Sequence, residues 1–233
     1  GGGRIAVYYA ADAGFTGFTA STASGGSAGI VPGQTGTTGF FDMGAGNPDL
    51  KVYQNFLLEA ATTVTYDTIT VANGGSLIVG AGSSVTVTGD ISVSGVTVNG
   101  VSAGGSLSFG TDSVINVGDE VLLSGKSTFT LGGATTLTVT NAVSLSGASV
   151  LLAQGKNART ASAGTGVTIH AGSMSIDTGS KLSADAQGYS GGYSGVWGGF
   201  GPGGAGAYYD AGGGGGHGGV GGYGANWGNS PGG

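Results

Sequence analysis

Residues 64–95 read VTYDTITVANGGSLIVGAGSSVTVTGDISVSG, residues 96–131 VTVNGVSAGGSLSFGTDSVINVGDEVLLSGKSTFTL, and residues 135–152 TTLTVTNAVSLSGASVLL. Short alternating pulses of Val, Ile and Leu are cut every six to ten residues by Gly, Asn, Asp or Ser. Alternation gives each pulse one apolar face, as a strand with a side-chain period of two requires. Thr and Ser fill many of the intervening places, and Thr is a strand former that tolerates water. A register recurs in steps of 30: Leu77, Leu107, Leu137 and Val167 fall on it, and so do Ile91, Val121 and Leu151. Gly-Gly-Ser-Leu at 74–77 returns intact at 104–107. Repetition with small residues at the corners is the mark of a chain that coils upon itself. The expected fold is all-β, a right-handed parallel β-helix or β-solenoid. Pulses about eight apart suit three strands and roughly 22–25 residues per coil. The 30-residue register suits larger or four-sided coils, and the sequence leaves both open.

Outward from this core, 64–187, lie two segments of different character. Residues 1–9, GGGRIAVYY, alternate Ile5, Val7 and Tyr9 with Arg4, Ala6 and Tyr8, which predicts a strand launched from glycines. Residues 10–46 are rich in Gly, Ser, Thr and Ala but carry Phe15, Phe18, Ile30, Val31, Phe40 and Phe41. So many large apolar groups predict a packed loop region, and 1–63 is read as packing on the solenoid. Residues 47–62 fit two patterns. Asn47-Pro48-Asp49 is a fair helix start, yet Leu50, Val52, Phe56 and Leu58 fit period two, and the strand reading is preferred because the flanks are strand-like.

Residues 188–233 form the third segment. Glycine supplies 23 of the 46, Asp210 is the one charged residue, and eight of the chain's 19 aromatics are here. Glycines recur every third residue at 192–204 and 212–224, a spacing that suits irregular or extended-helix packing of bare backbone, although composition alone produces such runs. Two prolines, Pro202 and Pro231, are too few for collagen.

Composition removes several function classes. The chain holds 56 glycines, no cysteine and 8% charged residues, with a net charge of −6. Six basic residues make no stripe for nucleic acid. Without cysteine there is no thiol chemistry and no disulfide frame. No run of about 18 apolar residues offers a membrane span. Beginning at Gly1 and both starting and ending in glycine, the sequence reads as processed or as cut from something larger, so the lack of a leader is silent on secretion.

The combination of GGGRIAVYY at 1–9, DTITVANGGSLIV at 67–79 and SKLSADAQGYSGG at 180–192, followed by aromatic-studded glycine, resembles the repeat units of very large secreted bacterial surface proteins, adhesin-like or matrix-like. The resemblance covers nearly the whole chain and implies glycine-interrupted parallel β-helix units that follow one another, at the cell surface or outside the cell. It implies no enzyme and no cofactor. The function expected from it is that of a structural unit of an extracellular filament or surface layer whose partners are copies of itself, head to tail. A carbohydrate-binding adhesin module, with surface polysaccharide as partner, is the second reading, and a polysaccharide lyase or hydrolase a distant third.

The residues offer that third reading little. Asp90 and the Asp119–Glu120 pair share the 30-residue register and are expected to stack, but each aspartate follows a glycine, where Asp serves a turn. Lyase chemistry wants Arg or Lys beside acids, and the core has only Lys126, Lys156, Arg159 and Lys181. Ca²⁺ is the one metal that oxygen-rich turns invite, yet the glycine–aspartate nonapeptide of calcium rolls is missing. His170 and His217 have no partner at ligand spacing. Asn73, Asn99, Asn116 and Asn141 sit at pulse ends, for amide ladders or for turns. Contact residues are therefore sought among aromatics: Tyr8, Tyr9, Tyr189, Tyr193, Trp197, Phe200, Tyr208, Tyr209, Tyr223 and Trp227. No amphipathic cap is visible at either end of the solenoid.

Overall fold

The computed structural model describes residues 1–27, 33–44, 46–155, 165–185 and 187. Within them the chain is all-β, with nineteen strands and no helix. β1 (Arg4–Tyr9) and β2 (Thr37–Asp42) come first. The first coil is β3 (Asp49–Val52), β4 (Asn55–Leu58) and β5 (Thr63–Tyr66), and the second β6 (Ile69–Val71), β7 (Ser76–Val79) and β8 (Ser84–Val87). β9 (Ile91–Ser94) opens the third, which is interrupted by β10 (Val96–Val98) and β11 (Val101–Ala103) before β12 (Ser106–Phe109) and β13 (Val114–Val117) complete it. β14 (Val121–Ser124), β15 (Thr128–Leu131) and the first half of β16 (Thr136–Leu145) make the fourth. The second half of β16, β17 (Val150–Ala153) and the start of β18 (Thr168–Ile176) make the fifth, and the end of β18 with β19 (Lys181–Ser183) begins a sixth.

From β3 on, and apart from the β10–β11 hairpin, each strand pairs in parallel with its counterpart one coil away, so three walls rise in a solenoid-like stack. Coil stacking begins at β3, ahead of position 64, and 47–62 is strand rather than helix. The inward column of one wall runs Leu50, Ile69, Ile91, Val121, Val143, Met174. Its steps are 19, 22, 30, 22 and 31 residues (69−50, 91−69, 121−91, 143−121, 174−143). The plain coil thus has 22 residues and three strands.

The 30-residue register is corrected by this stack. Leu77 does pair with Leu107, and Ile91 with Val121. Leu107 then pairs with Phe129, while Leu137 lies on another wall between Ile115 and Ile169, and Leu151, beside Leu182, lies on the wall of Leu107 and not on that of Ile91 and Val121. A step of 30 is one plain coil of 22 plus the eight-residue hairpin of Val96–Val98 and Val101–Ala103 with its two-residue turn (103−96+1). It therefore holds across that coil and fails beyond it. The hairpin turn is Asn99-Gly100, both at positive φ (49° and 78°), the geometry that two-residue antiparallel connections demand. Asn73 likewise takes positive φ (56°) before Gly74, Asn116 lies mid-strand and Asn141 bonds Asp119, so the asparagines serve separate local purposes and form no ladder.

Corners follow a rule. Ser83, Ser113, Ser127 and Ser149 are buried just before a strand, and each hydroxyl donates to the carbonyl three residues back, on Gly80, Gly110, Ser124 and Ser146. A buried hydroxyl without such an acceptor would cost about 1–3 kcal/mol. Backbones also touch at the corners: a Cβ on Gly110 would stand 2.5 Å from the Ala81 nitrogen. The axis is filled by Leu77, Leu107, Phe109, Phe129, Ile115 and Leu137, with at most 1% of each exposed. By internal contacts the chain divides into Gly1–Leu152 with Val167–Ser183, which holds this stack, and Ala153–Gly166 with Ala184–Gly233.

Candidate interaction surfaces

The two ends of the stack differ. At the start, β2 continues one wall, antiparallel to β3, and β1 pairs with β2 in parallel. Phe41 of β2 turns inward, its ring 5.6 Å from that of Phe56 and 6.4 Å from that of Tyr66. Arg4 lies over Phe56 at 5.5 Å, and Tyr8 stacks on Phe41 at 4.5 Å. Gly39 has to be glycine here, because a Cβ would enter the Phe56 ring. An aromatic plug thus closes the first coil, which no pattern in the sequence announced.

The last described coil has no such plug among the described residues. Met174, Ile176 and Leu182 stack on Val143, Leu145 and Leu151, which are buried, yet are themselves 42%, 42% and 45% exposed. These side chains continue the inward columns, and no described residue covers them.

The other face of β1 and β2 carries a second aromatic group. Ile5, Val7 and Tyr9 share this face with Phe40, and the loop after β1 adds Phe15 and Phe18. Phe18 meets Phe15 at 4.8 Å and Phe40 at 5.0 Å, both edge to face, and Tyr53 at 5.8 Å. Lys51 Nζ donates to Tyr9 Oη at 3.0 Å and to Asp42 Oδ2 at 3.3 Å, with the Tyr9 and Phe18 rings within 6 Å. Partial burial alone pulls the Lys51 ammonium down, but the bonds to Tyr9 and Asp42 outweigh it and raise its pKa above the ordinary lysine value. The Asp42 carboxyl is held low by the Gly44 N–H and by Lys51. Between Ile5, Val7, Phe15, Phe18 and Phe40 lies a groove of about 260 Å³, almost wholly apolar.

Of the residues expected to make contacts, Tyr8 and Tyr9 fall on opposite faces of β1, Tyr8 on the plug and Tyr9 in the groove. Tyr189, Tyr193, Trp197, Phe200, Tyr208, Tyr209, Tyr223 and Trp227 lie outside the described residues. Ile5, Val7, Phe15, Phe18 and Lys51 were not singled out as contact residues, being ordinary apolar or charged positions in the sequence. The nearest signal was the density of Phe in 10–46.

The acids are engaged in turns and coil-to-coil bonds. Asp67 accepts from Asn47 and Thr88, which hold its pKa low, and Asp119 accepts from Asn141 at 2.6 Å. Asp90 and Glu120 do stack, the Glu120 N–H donating to Asp90 Oδ1 at 3.0 Å. Among the described residues, no group of three His, Cys, Asp or Glu could hold a metal. His170 is an exposed strand residue beside Thr138. A shallow trough of about 410 Å³ between Thr86, Asn116, Gly118, Thr138 and Thr140 on another wall has no charged lining among the described residues. No helix among the described residues is long and apolar enough to cross a membrane. Comparison with protein families, curated proteins and solved structures finds no match to the chain.

Proposed function

We propose that this chain is a structural unit of a secreted bacterial extracellular filament or surface layer, a right-handed parallel β-helix joining its copies head to tail. The right hand follows from the preference of parallel crossovers for it. What supports assembly is the contrast between rungs: Val143, Leu145 and Leu151 are 2% exposed or less, and the residues stacked on them are 42–45% exposed. A last described rung of apolar side chains, with the nine-residue β18 paired only to β16 among the described residues, offers the same template that each inner coil offers its neighbour. Contact of one copy's end with another's start is heterologous and need not close, so it runs on as a fibre.

Electron microscopy of the purified chain tests this. Regular fibres are expected from the intact protein and their loss from Met174→Asp/Ile176→Asp, which places charge on the open rung. Dispersed monomers at every concentration would overturn the filament reading and bring forward that of a carbohydrate-binding module.

A further inference from the structure

We propose that the free edge of β1 and its apolar groove receive residues 189–197 of a second copy, added as a strand. The inference rests on the assembly reading above and names its joint. Among the described residues β1 is the terminal strand of the eleven-stranded sheet and pairs on one side only, with β2. Among the described residues the edge of this six-residue strand away from β2 has no strand partner, the usual template for strand addition, in which main-chain bonds give affinity and pockets for alternate side chains give choice.

The groove lies on the face of β1 bearing Ile5 and Val7, each 38% exposed, next to Phe15 at 52%. At about 260 Å³ it is smaller than a typical small-molecule pocket of about 300–1,000 Å³, and suits one or two ring side chains. Its walls are held in place by the edge-to-face contacts of Phe18 and by the Lys51–Tyr9 bond. Asp12, its one charged lining residue among those described, accepts from the Gly14 and Phe15 N–H groups at 2.9 and 2.7 Å. A ligand matched to this surface is an extended, uncharged segment with aromatic side chains on one face.

The chain carries such a segment. Residues 189–197 read YSGGYSGVW, with no charge. Laid out with period two, one face presents Tyr189, Gly191, Tyr193, Gly195 and Trp197, rings alternating with bare backbone. The glycines let the added strand lie close over the walls while the rings between them enter the groove.

Absence of native cysteine makes the test clean. Full-length chains carrying Val7→Cys are mixed with full-length chains carrying Tyr193→Cys and oxidised, with Thr86→Cys on another wall in place of Val7→Cys as control. A mixed Val7→Cys/Tyr193→Cys dimer, many-fold above the control pairing, is expected, together with fibres. Fibres from both single variants without that cross-link would overturn this joint and leave the assembly reading standing. Monomers without the cross-link would overturn both. A chain bearing both cysteines that closes only on itself would assign the groove to its own segment and overturn the second copy as occupant.

Discussion

The start of the stack is closed by aromatic rings, whereas its last described rung carries aliphatic side chains that no described residue covers. At the start, Phe41 is 5% exposed and lies against Phe56 and Tyr66, so the first coil meets an aromatic surface. At the finish, Met174, Ile176 and Leu182 stand where such a plug would sit. A coil stack is satisfied in its middle by neighbours on both sides, so only its ends reveal what the molecule is prepared to meet.

The largest expected effect comes from setting an inner rung against the open one. Leu107 lies between Leu77 and Phe129 with nothing exposed. Truncation alone at such a site costs about 2–5 kcal/mol, and Leu107→Asp adds a carboxylate with no partner. Met174→Asp, on the same chemistry at a 42% exposed site, should shift stability by about 0.5 kcal/mol in dilute monomer. Urea denaturation of the two variants checks the pair. Equal losses would mean that the last rung is covered in the free molecule, and the contrast between the ends would disappear.

The plugged end has its own signature at high pH. Burial, with Tyr8 adding to it, pushes the Tyr66 phenol up from 10.0 to about 12. The unfolded chain ionises first, so this group's contribution is intact below pH 10 and is lost as pH rises towards 12, a decline on the order of 2 kcal/mol. Tyr66→Phe should flatten that decline in thermal melts across the same window. A variant that keeps the full slope would show that Tyr66 is not sealed by the plug.

These contrasts also show what could be read in advance. The walls were legible because inner strands such as Ser84–Val87 bury every second residue. The 22-residue coil was not, because the insertion at 96–103 carries the same alternating valines as the walls it interrupts. Its one distinguishing mark was Asn99-Gly100, a hairpin signal that lay in plain view. β2 was illegible for a different reason. Thr38, Gly39, Phe40 and Phe41 are all buried, since the first coil covers one face and Phe18 the other, so no alternation survives. The groove was not legible: Tyr8 and Tyr9 stood out as aromatics, but a groove assembled from β1, β2 and a loop has no local pattern.

The smallest expected effect asks whether the corners are indifferent to which end they stand near. Ala61, in the coil next to the plug, and Ala134, two plain coils and the hairpin-bearing one further along, hold φ of 57° and 61°. Gly82 takes the equivalent corner of the second coil at 69°. An L residue in the left-handed region costs about 1–2 kcal/mol, while glycine gives back about 0.5–1 kcal/mol through the freedom it gains when unfolded. Ala61→Gly and Ala134→Gly should therefore each stabilise the protein by about 0.5 kcal/mol, seen as a small rise in melting temperature. Backbone strain is local, so the two gains should match and should add in the double variant, since the sites share no partner. A gain at 134 without one at 61 would tie the first corner to the plug, because Ala60 and Ala61 sit under Gly80 and Ala81 at the edge where the stack begins.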